Sequence, residues 1–381
     1  MWKLLAVPFI ALGVIALGAA SAEEVHPILA IGSPAPDFAL PGVDGKIHKL
    51  SDYASSPVLV IVFTCNHCPI AQMYEQRIQQ LANDYKDKGV AVVAIQGNDP
   101  KAIRIDELDS SDVSDTLPEM KIRVQYKHLT YPYLSAGDAP QVTQAYGPQA
   151  TPHAFIFDQQ RHLRYEGRID NSYRIELVKT HDARNAIDAL LAHKEVAVTH
   201  TGVFGCSTKW PEKEAGKQAG LDKINAQPVS VEMISKTELT KLRTNPSHQM
   251  MLVDFWATWC GSCIVEFADL QDTLRMYGAR EFSVVTVAAN MPDEQPSVLR
   301  FLQKKHATSR NYLFDSQDTA ALQTAFDPKW DSAVPYTILL SGDGKVLYKQ
   351  LGSADLLELK RTILANLPSD YKGFNQYWKN N

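Results

Sequence analysis

Two apolar runs interrupt the ordinary mixing of polar and apolar positions, and both end at a pair of cysteines. The first, Val58-Leu59-Val60-Ile61-Val62-Phe63, leads into Thr64-Cys65-Asn66-His67-Cys68-Pro69. The second contains Val253-Asp254-Phe255-Trp256-Ala257 and leads into Thr258-Trp259-Cys260-Gly261-Ser262-Cys263. Each run reads as a buried strand, being short, rich in β-formers and sharply bounded. A helical pattern follows each: residues 70–85 after the first, and Ile264, Phe267 and Leu270 on one face after the second. One strand, Cys-x-x-Cys and helix could arise by chance; two with matching surroundings predict a tandem repeat of one domain type.

The rest of the pattern fills out two α/β units. In the first, residues 90–95 read as a buried strand and 98–118 as a polar, proline-punctuated surface insertion near the active-site edge. Helices are predicted over 119–127 and 139–146, extended segments over 150–158 and 163–168, and a closing helix over 182–194. Residues 211–228 have little apolar periodicity and read as a linker. In the second unit, 229–234, 282–288, 312–314, 334–340 and 346–350 read as extended. Helices are predicted over 238–243, 296–305, 319–326 and 355–367. Gly342-Asp343-Gly344 turns the last two strands into a hairpin.

Composition narrows the class. The chain has 381 residues, 45% hydrophobic and 21% charged, with net charge −5. This is the profile of a globular protein, and the length suits two domains of ordinary size. No long basic run favours nucleic acid. Residues 1–22 read as a cleavable signal peptide: Lys3, an apolar run, then Ala20-Ser21-Ala22. The run is short for a membrane crossing, and no second one follows. The expected compartment is therefore periplasmic or extracellular, where disulfides persist, with no membrane span after cleavage.

Four of the five cysteines form the two close pairs, and the fifth is Cys206. That distribution favours catalytic over structural use, since so short a loop constrains the unfolded chain little. A cysteine at a helix N-terminus is biased toward thiolate by unpaired N–H groups and the helix dipole. A second cysteine three residues on can close a disulfide with it. Each unit reads as a dithiol redox centre.

The Trp-Cys-x-x-Cys at Trp259, with Asp254 six residues before Cys260, resembles thioredoxin. The resemblance implies that Asp254 is a buried carboxylate exchanging a proton with Cys263. A buried acid with a raised pKa can act as a base near neutral pH. It also implies cis-prolines facing the dithiols, matched by Pro152 and Pro335. The second half resembles exported thioredoxin-like reductases. The first half, with Gly32-Ser33-Pro34-Ala35-Pro36-Asp37-Phe38 at its start and Gly205-Cys206-Ser207-Thr208-Lys209-Trp210 at its end, resembles the redoxin, or peroxiredoxin-like, branch of that superfamily.

Two rival chemistries exist for the first unit. Peroxiredoxins present Pro-x-x-x-Thr-x-x-Cys; counted back from Cys68, Cys65 and Ile61 fill the threonine and proline places, and counted from Cys65, Val62 and Val58 do. Neither frame fits a thiol peroxidase. Copper-delivery proteins of this fold space their cysteines three residues apart, and no distant histidine here matches theirs.

The sequence thus predicts two tandem thioredoxin-fold domains, α/β with central mixed sheets, over 23–210 and 229–381. The expected function is thiol–disulfide exchange with protein substrates and a redox partner protein, without a bound cofactor or metal. Cys65 and Cys260 are expected to be solvent-facing nucleophiles resolved by Cys68 and Cys263. Trp259, Pro152 and Pro335 would contact substrate. His67 would stabilise the Cys65 thiolate and make the first site the more oxidising, helped by Leu59 standing in the place of Asp254. Electrons would then pass from Cys260–Cys263 to Cys65–Cys68 wherever the domains meet.

Overall fold

The computed structural model describes residues 26–379; the expected signal peptide at 1–22 lies outside them. Two mixed sheets organise the chain. The first has the strand order Tyr133–Ser135, Ala91–Gln96, Leu59–Thr64, His153–Phe157, Leu163–Gly167. The second runs Glu232–Ile234, Arg310–Phe314, Phe282–Ala288, Met250–Trp256, Tyr336–Leu340, Val346–Leu351. In both, the strand before the cysteines lies between a parallel neighbour and an antiparallel one.

Central position explains why these strands read as unbroken apolar runs. Every residue of Leu59–Thr64 and of Met250–Trp256 is buried. Side chains alternate between faces, so Val58, Val60 and Val62 pack on one side of the first sheet while Leu59, Ile61 and Phe63 pack on the other. In the second sheet Met251, Val253 and Phe255 face one core and Met250 and Leu252 another.

Both predicted cis-prolines are cis, at Thr151-Pro152 and Val334-Pro335. They give a common reference for comparing the domains. Phe63 pairs with His153, the residue after Pro152, and Phe255 pairs with Tyr336, the residue after Pro335. Phe63 and Phe255 are therefore equivalent.

Two expectations fail here. The linker contains a helix, Glu214–Asn225, none of whose residues is buried; Lys217 reaches the Pro100 carbonyl from it at 3.5 Å. Its Glu, Ala, Lys, Gln and Leu content supports a helix without an apolar face. The insertion at 98–118 is not a surface loop either. Ser110, Ser111, Asp112 and Asp115 are buried: Asp115 lies under the first cysteine motif, and Ser111 and Asp112 meet Tyr277 and Arg361 of the second half.

That packing joins the halves through charge. Arg123, wholly buried, donates to Asp112 at 2.6 Å, and Asp112 also accepts from Arg361 at 2.7 Å. Arg123 further donates to the Tyr377 hydroxyl at 2.7 Å. The chain's last helix, Phe374–Lys379, carries Tyr377 and packs with the helix Pro69–Tyr85. Tyr277 donates to the Ser111 carbonyl at 2.8 Å.

Candidate functional site

The cysteines of the second domain stand at a helix start, as the sequence predicts, but Cys260 is nearly buried rather than solvent-facing. Cys260 caps the helix Gly261–Tyr277, and its sulfur accepts from the Cys263 amide at 3.2 Å. Cys260 and Cys263 are disulfide-bonded, with Cα atoms 5.3 Å apart. Cys263 is buried, Cys260 keeps 7% exposure, and Trp259 beside it is 65% exposed. Val265 and Met291 are also exposed apolar side chains of this domain. Asp254 is buried, touches the Thr337 hydroxyl at 3.3 Å, and has its pKa pushed up to about 8. Burial is the main cause, and the Glu266 charge adds to it. Glu266 was missed by the sequence reading. It lies one helical turn after Cys263, buried, accepting from the Ala354 amide at 2.9 Å, with its own pKa raised by burial.

The first domain differs in register. Its helix begins after the second cysteine: Cys68 is the capping residue and Pro69 the first helical one. Counting five residues from the equivalent phenylalanines leads to Cys68 in one domain and Cys260 in the other. Cys68, not Cys65, thus occupies the Cys260 place, Cys65 corresponds to Ala257, and Val62 rather than Leu59 is the counterpart of Asp254. The matching Cys-x-x-Cys spacing conceals a shift of three residues.

The electrostatics follow the helix. Cys65 is buried, against the expectation of a solvent-facing nucleophile, and its sulfur lies 3.1 Å from the Thr151 hydroxyl. Burial, with the neighbouring Cys68, raises its pKa well above the ordinary thiol value. Burial would raise Cys68 too, but hydrogen bonds with Cys206 and Cys65 and the His67 charge bring its thiol well below that value. His67 therefore favours a Cys68 thiolate rather than a Cys65 thiolate. Its Nδ1 pairs with Asp115 at 2.8 Å, both side chains buried. Although burial alone would lower it, Asp115 raises the imidazole pKa.

Asp115 is the hub of this arrangement. It accepts from the Asn66 amide at 2.8 Å, the His67 amide at 3.1 Å and the Asn98 side chain at 2.8 Å. Cys65, His67 and Asp115 bring potential ligand atoms within 4.8 Å of one another, but the carboxylate is saturated by these donors and offers no open metal position. His153 is likewise satisfied, between Glu166 at 2.8 Å and the Gln149 amide at 3.2 Å.

Cys206 completes the site. Its two-residue strand, Cys206–Ser207, pairs antiparallel with Ala150–Thr151, setting Cys206 opposite Thr151, the residue before Pro152. The Cys206 amide donates to the Cys68 sulfur at 3.2 Å. The sequence singled out the segment around Cys206 without giving the thiol a role. Asp115 gave no signal at all, being brought to His67 across 48 positions.

Each half of the chain is similar to known proteins. The family model described as AhpC/TSA family matches residues 31–166, and that described as Redoxin matches residues 225–362. A thiol:disulfide interchange protein DsbE of Allochromatium vinosum is 31% identical over 108 residues, covering 28% of this chain and 54% of the relative. A thiol-disulfide oxidoreductase ResA of Geobacillus thermodenitrificans is 27% identical over 133 residues, covering 34% of this chain and 65% of the relative. The chain thus spans just over half, and just under two thirds, of these curated relatives. Among solved structures, a hypothetical protein of Sinorhizobium meliloti 1021 is 34% identical, covering 48% of this chain and 96% of that one, with a TM-score of 0.42. An uncharacterized conserved protein of Geobacillus kaustophilus is also 34% identical, covering 48% and 93%, with a TM-score of 0.43.

Proposed function

The chain belongs to the thioredoxin superfamily, with two redoxin-type domains in tandem, and from that premise we propose that it is an exported thiol–disulfide oxidoreductase acting on protein substrates. The domains are assigned to 23–210 and 229–381, joined by 211–228. Among the described residues no helix is long and apolar enough to cross a membrane; export rests on the sequence of 1–22. The observation that carries the activity is the Cys260–Cys263 disulfide at a helix start, beside an exposed tryptophan and followed in the sheet by a cis-proline.

In the reduced state, Cys260 attacks a substrate disulfide as a thiolate, forming a mixed disulfide and releasing one substrate thiolate. Cys263 then attacks the Cys260 sulfur, releasing the second substrate thiolate and leaving Cys260–Cys263 oxidised. Asp254, a carboxyl with a pKa near neutrality, takes the proton from Cys263 as that attack begins. Trp259 and Pro335 hold substrate against Cys260, and Pro152 has the equivalent position in the first domain. The first domain contributes a second redox site, the more oxidising of the two, because its thiolate on Cys68 is stabilised by His67.

Reduction of insulin disulfides tests this reading. The wild-type chain, supplied with dithiothreitol, is expected to precipitate insulin far faster than dithiothreitol alone, and Cys260→Ser to lose that acceleration. Equal rates for wild type and Cys260→Ser would reject the assignment.

A further inference from the structure

We propose that the working redox pair of the first domain is Cys68–Cys206, with Cys206 as the thiol that meets external disulfides, rather than the adjacent Cys65–Cys68. The inference extends the oxidoreductase reading to a cysteine it does not use.

Four observations converge on it. The first is register: Cys68 holds the helix-capping place that Cys260 holds in the second domain, so the reactive sulfur of this site is Cys68. The second is proximity. With the Cys206 amide 3.2 Å from the Cys68 sulfur, the Cys206 Cα lies within about 4.7 Å of that sulfur, and each thiol shifts the pKa of the other. The third is access. Cys65 and Cys68 are buried, whereas Cys206 is part-exposed.

The fourth is that Cys206 is held there by construction. Gly205 approaches Thr151 so closely that a Cβ on it would lie 2.0 Å from the Thr151 carbonyl oxygen, at a φ of +137. Beyond Cys206, Thr208 donates to the Pro148 carbonyl at 2.6 Å, and the Lys209 amide donates to Asn98 at 2.9 Å. Asn98 is the same side chain that donates to Asp115. The strand bearing Cys206 thus lies along the residue preceding Pro152. It fills the edge that an incoming polypeptide would otherwise use, and presents a cysteine of its own to Cys68.

The chemistry balances with an external disulfide RS–SR as oxidant. In the reduced site the Cys206 thiol lies beside the Cys68 thiolate. Attack by the Cys206 sulfur forms a Cys206–SR bond and breaks RS–SR; the thiol proton passes to Cys68 and RS⁻ leaves. Cys68 gives that proton to the departing thiolate and attacks the Cys206 sulfur, forming Cys68–Cys206 and expelling the second RS⁻. Two cysteines are oxidised, one external disulfide is reduced, and the single proton ends on RSH. Cys65, whose pKa is raised by burial, takes no part.

The test is disulfide mapping of the full chain. Reduced wild-type protein is incubated with oxidised glutathione, quenched in acid, alkylated, digested and analysed by mass spectrometry without reduction. A Cys68–Cys206 link as the main first-domain product is expected, and Cys65→Ser should form it equally well. In Cys68→Ser, which can neither take the Cys206 proton nor resolve, a glutathione adduct should form on Cys206 more slowly, at raised pH, and then accumulate. A Cys65–Cys68 link with Cys206 alkylated would overturn the proposal, as would loss of the Cys68–Cys206 link in Cys65→Ser. The Cys260–Cys263 peptide in the same digest reports separately on the proposed function: if that pair fails to oxidise while Cys68–Cys206 forms, the general reading fails and this one stands.

Discussion

Asp254 shows what a single residue position can and cannot reveal. Its burial was legible because the residues that define it, the apolar strand and the cysteines after it, are neighbours in sequence. Its burial fixes a consequence for pH. The folded-state pKa of about 8 lies above the ordinary carboxyl value of 3.8, so between those values the folded chain binds the proton that the unfolded chain has lost. The contribution of Asp254 to stability is then complete below about pH 4 and falls as pH rises toward 8. Near pH 7 the loss is on the order of 4 kcal/mol. Asp254→Asn is expected to raise the melting temperature at pH 8 much more than at pH 5, while slowing release of the mixed disulfide at neutral pH. Calorimetry at the two pH values and single-turnover exchange check both, and an equal shift at both pH values would mean that Asp254 is ionised in the folded chain. Asp115 and Glu266 were not legible in this way. Each owes its importance to tertiary contacts: His67 in one case, Asp254 and the Ala354 amide in the other.

At the scale of elements, strand and helix existence was largely legible, since apolar period and burial coincide in both sheets. Register was not. The two Cys-x-x-Cys motifs look alike because spacing was counted between cysteines, whereas the fold counts from strand end to helix start. Pro69 was the available signal: a proline favours the first helical position, which makes Cys68 the cap and places the helix three residues later than in the second domain. The short strand Cys206–Ser207 was beyond reach, since two residues carry no period. Its position nevertheless depends on one residue. Gly205→Ala would place a methyl against the Thr151 carbonyl at a backbone conformation L side chains rarely adopt, a strain of about 1–3 kcal/mol. The strand should lift and uncover Cys68. The alkylation rate of Cys68 by iodoacetamide in the reduced protein is expected to rise at least about tenfold, with Cys260 alkylated at its wild-type rate. An unchanged Cys68 rate would show that something other than this strand shields it.

For the whole molecule, the sequence predicted two domains but not how they dock, and the docking bears on whether they exchange electrons. Residues 98–118 read as a surface insertion because they are polar. They are polar because they meet charged partners: Asp112 lies between Arg123 of its own domain and Arg361 of the other, and the Asp109 carbonyl accepts from Arg280 of the other domain at 2.6 Å. A buried charge that loses its partner is strongly destabilising, so this interface resists opening. It lies at the first redox site. The Ser111 hydroxyl is 3.3 Å from the Asn66 carbonyl, between the two cysteines of the first motif, and the Ser111 carbonyl accepts from Tyr277. Tyr277 ends the helix that Cys260 begins, about 25 Å away along its axis at 1.5 Å per residue. The domains therefore meet, but by the end of the helix opposite to the second dithiol. The expectation that electrons pass between the sites wherever the domains touch does not fit this arrangement. Transfer should need a second molecule whose Cys260–Cys263 approaches Cys206. Half-oxidised protein, followed by timed alkylation at about 1 and 100 µM, separates the cases. Redistribution between the pairs is expected to accelerate in proportion to protein concentration. A rate independent of concentration would mean that the docked arrangement opens far enough within one chain to bring the sulfurs together.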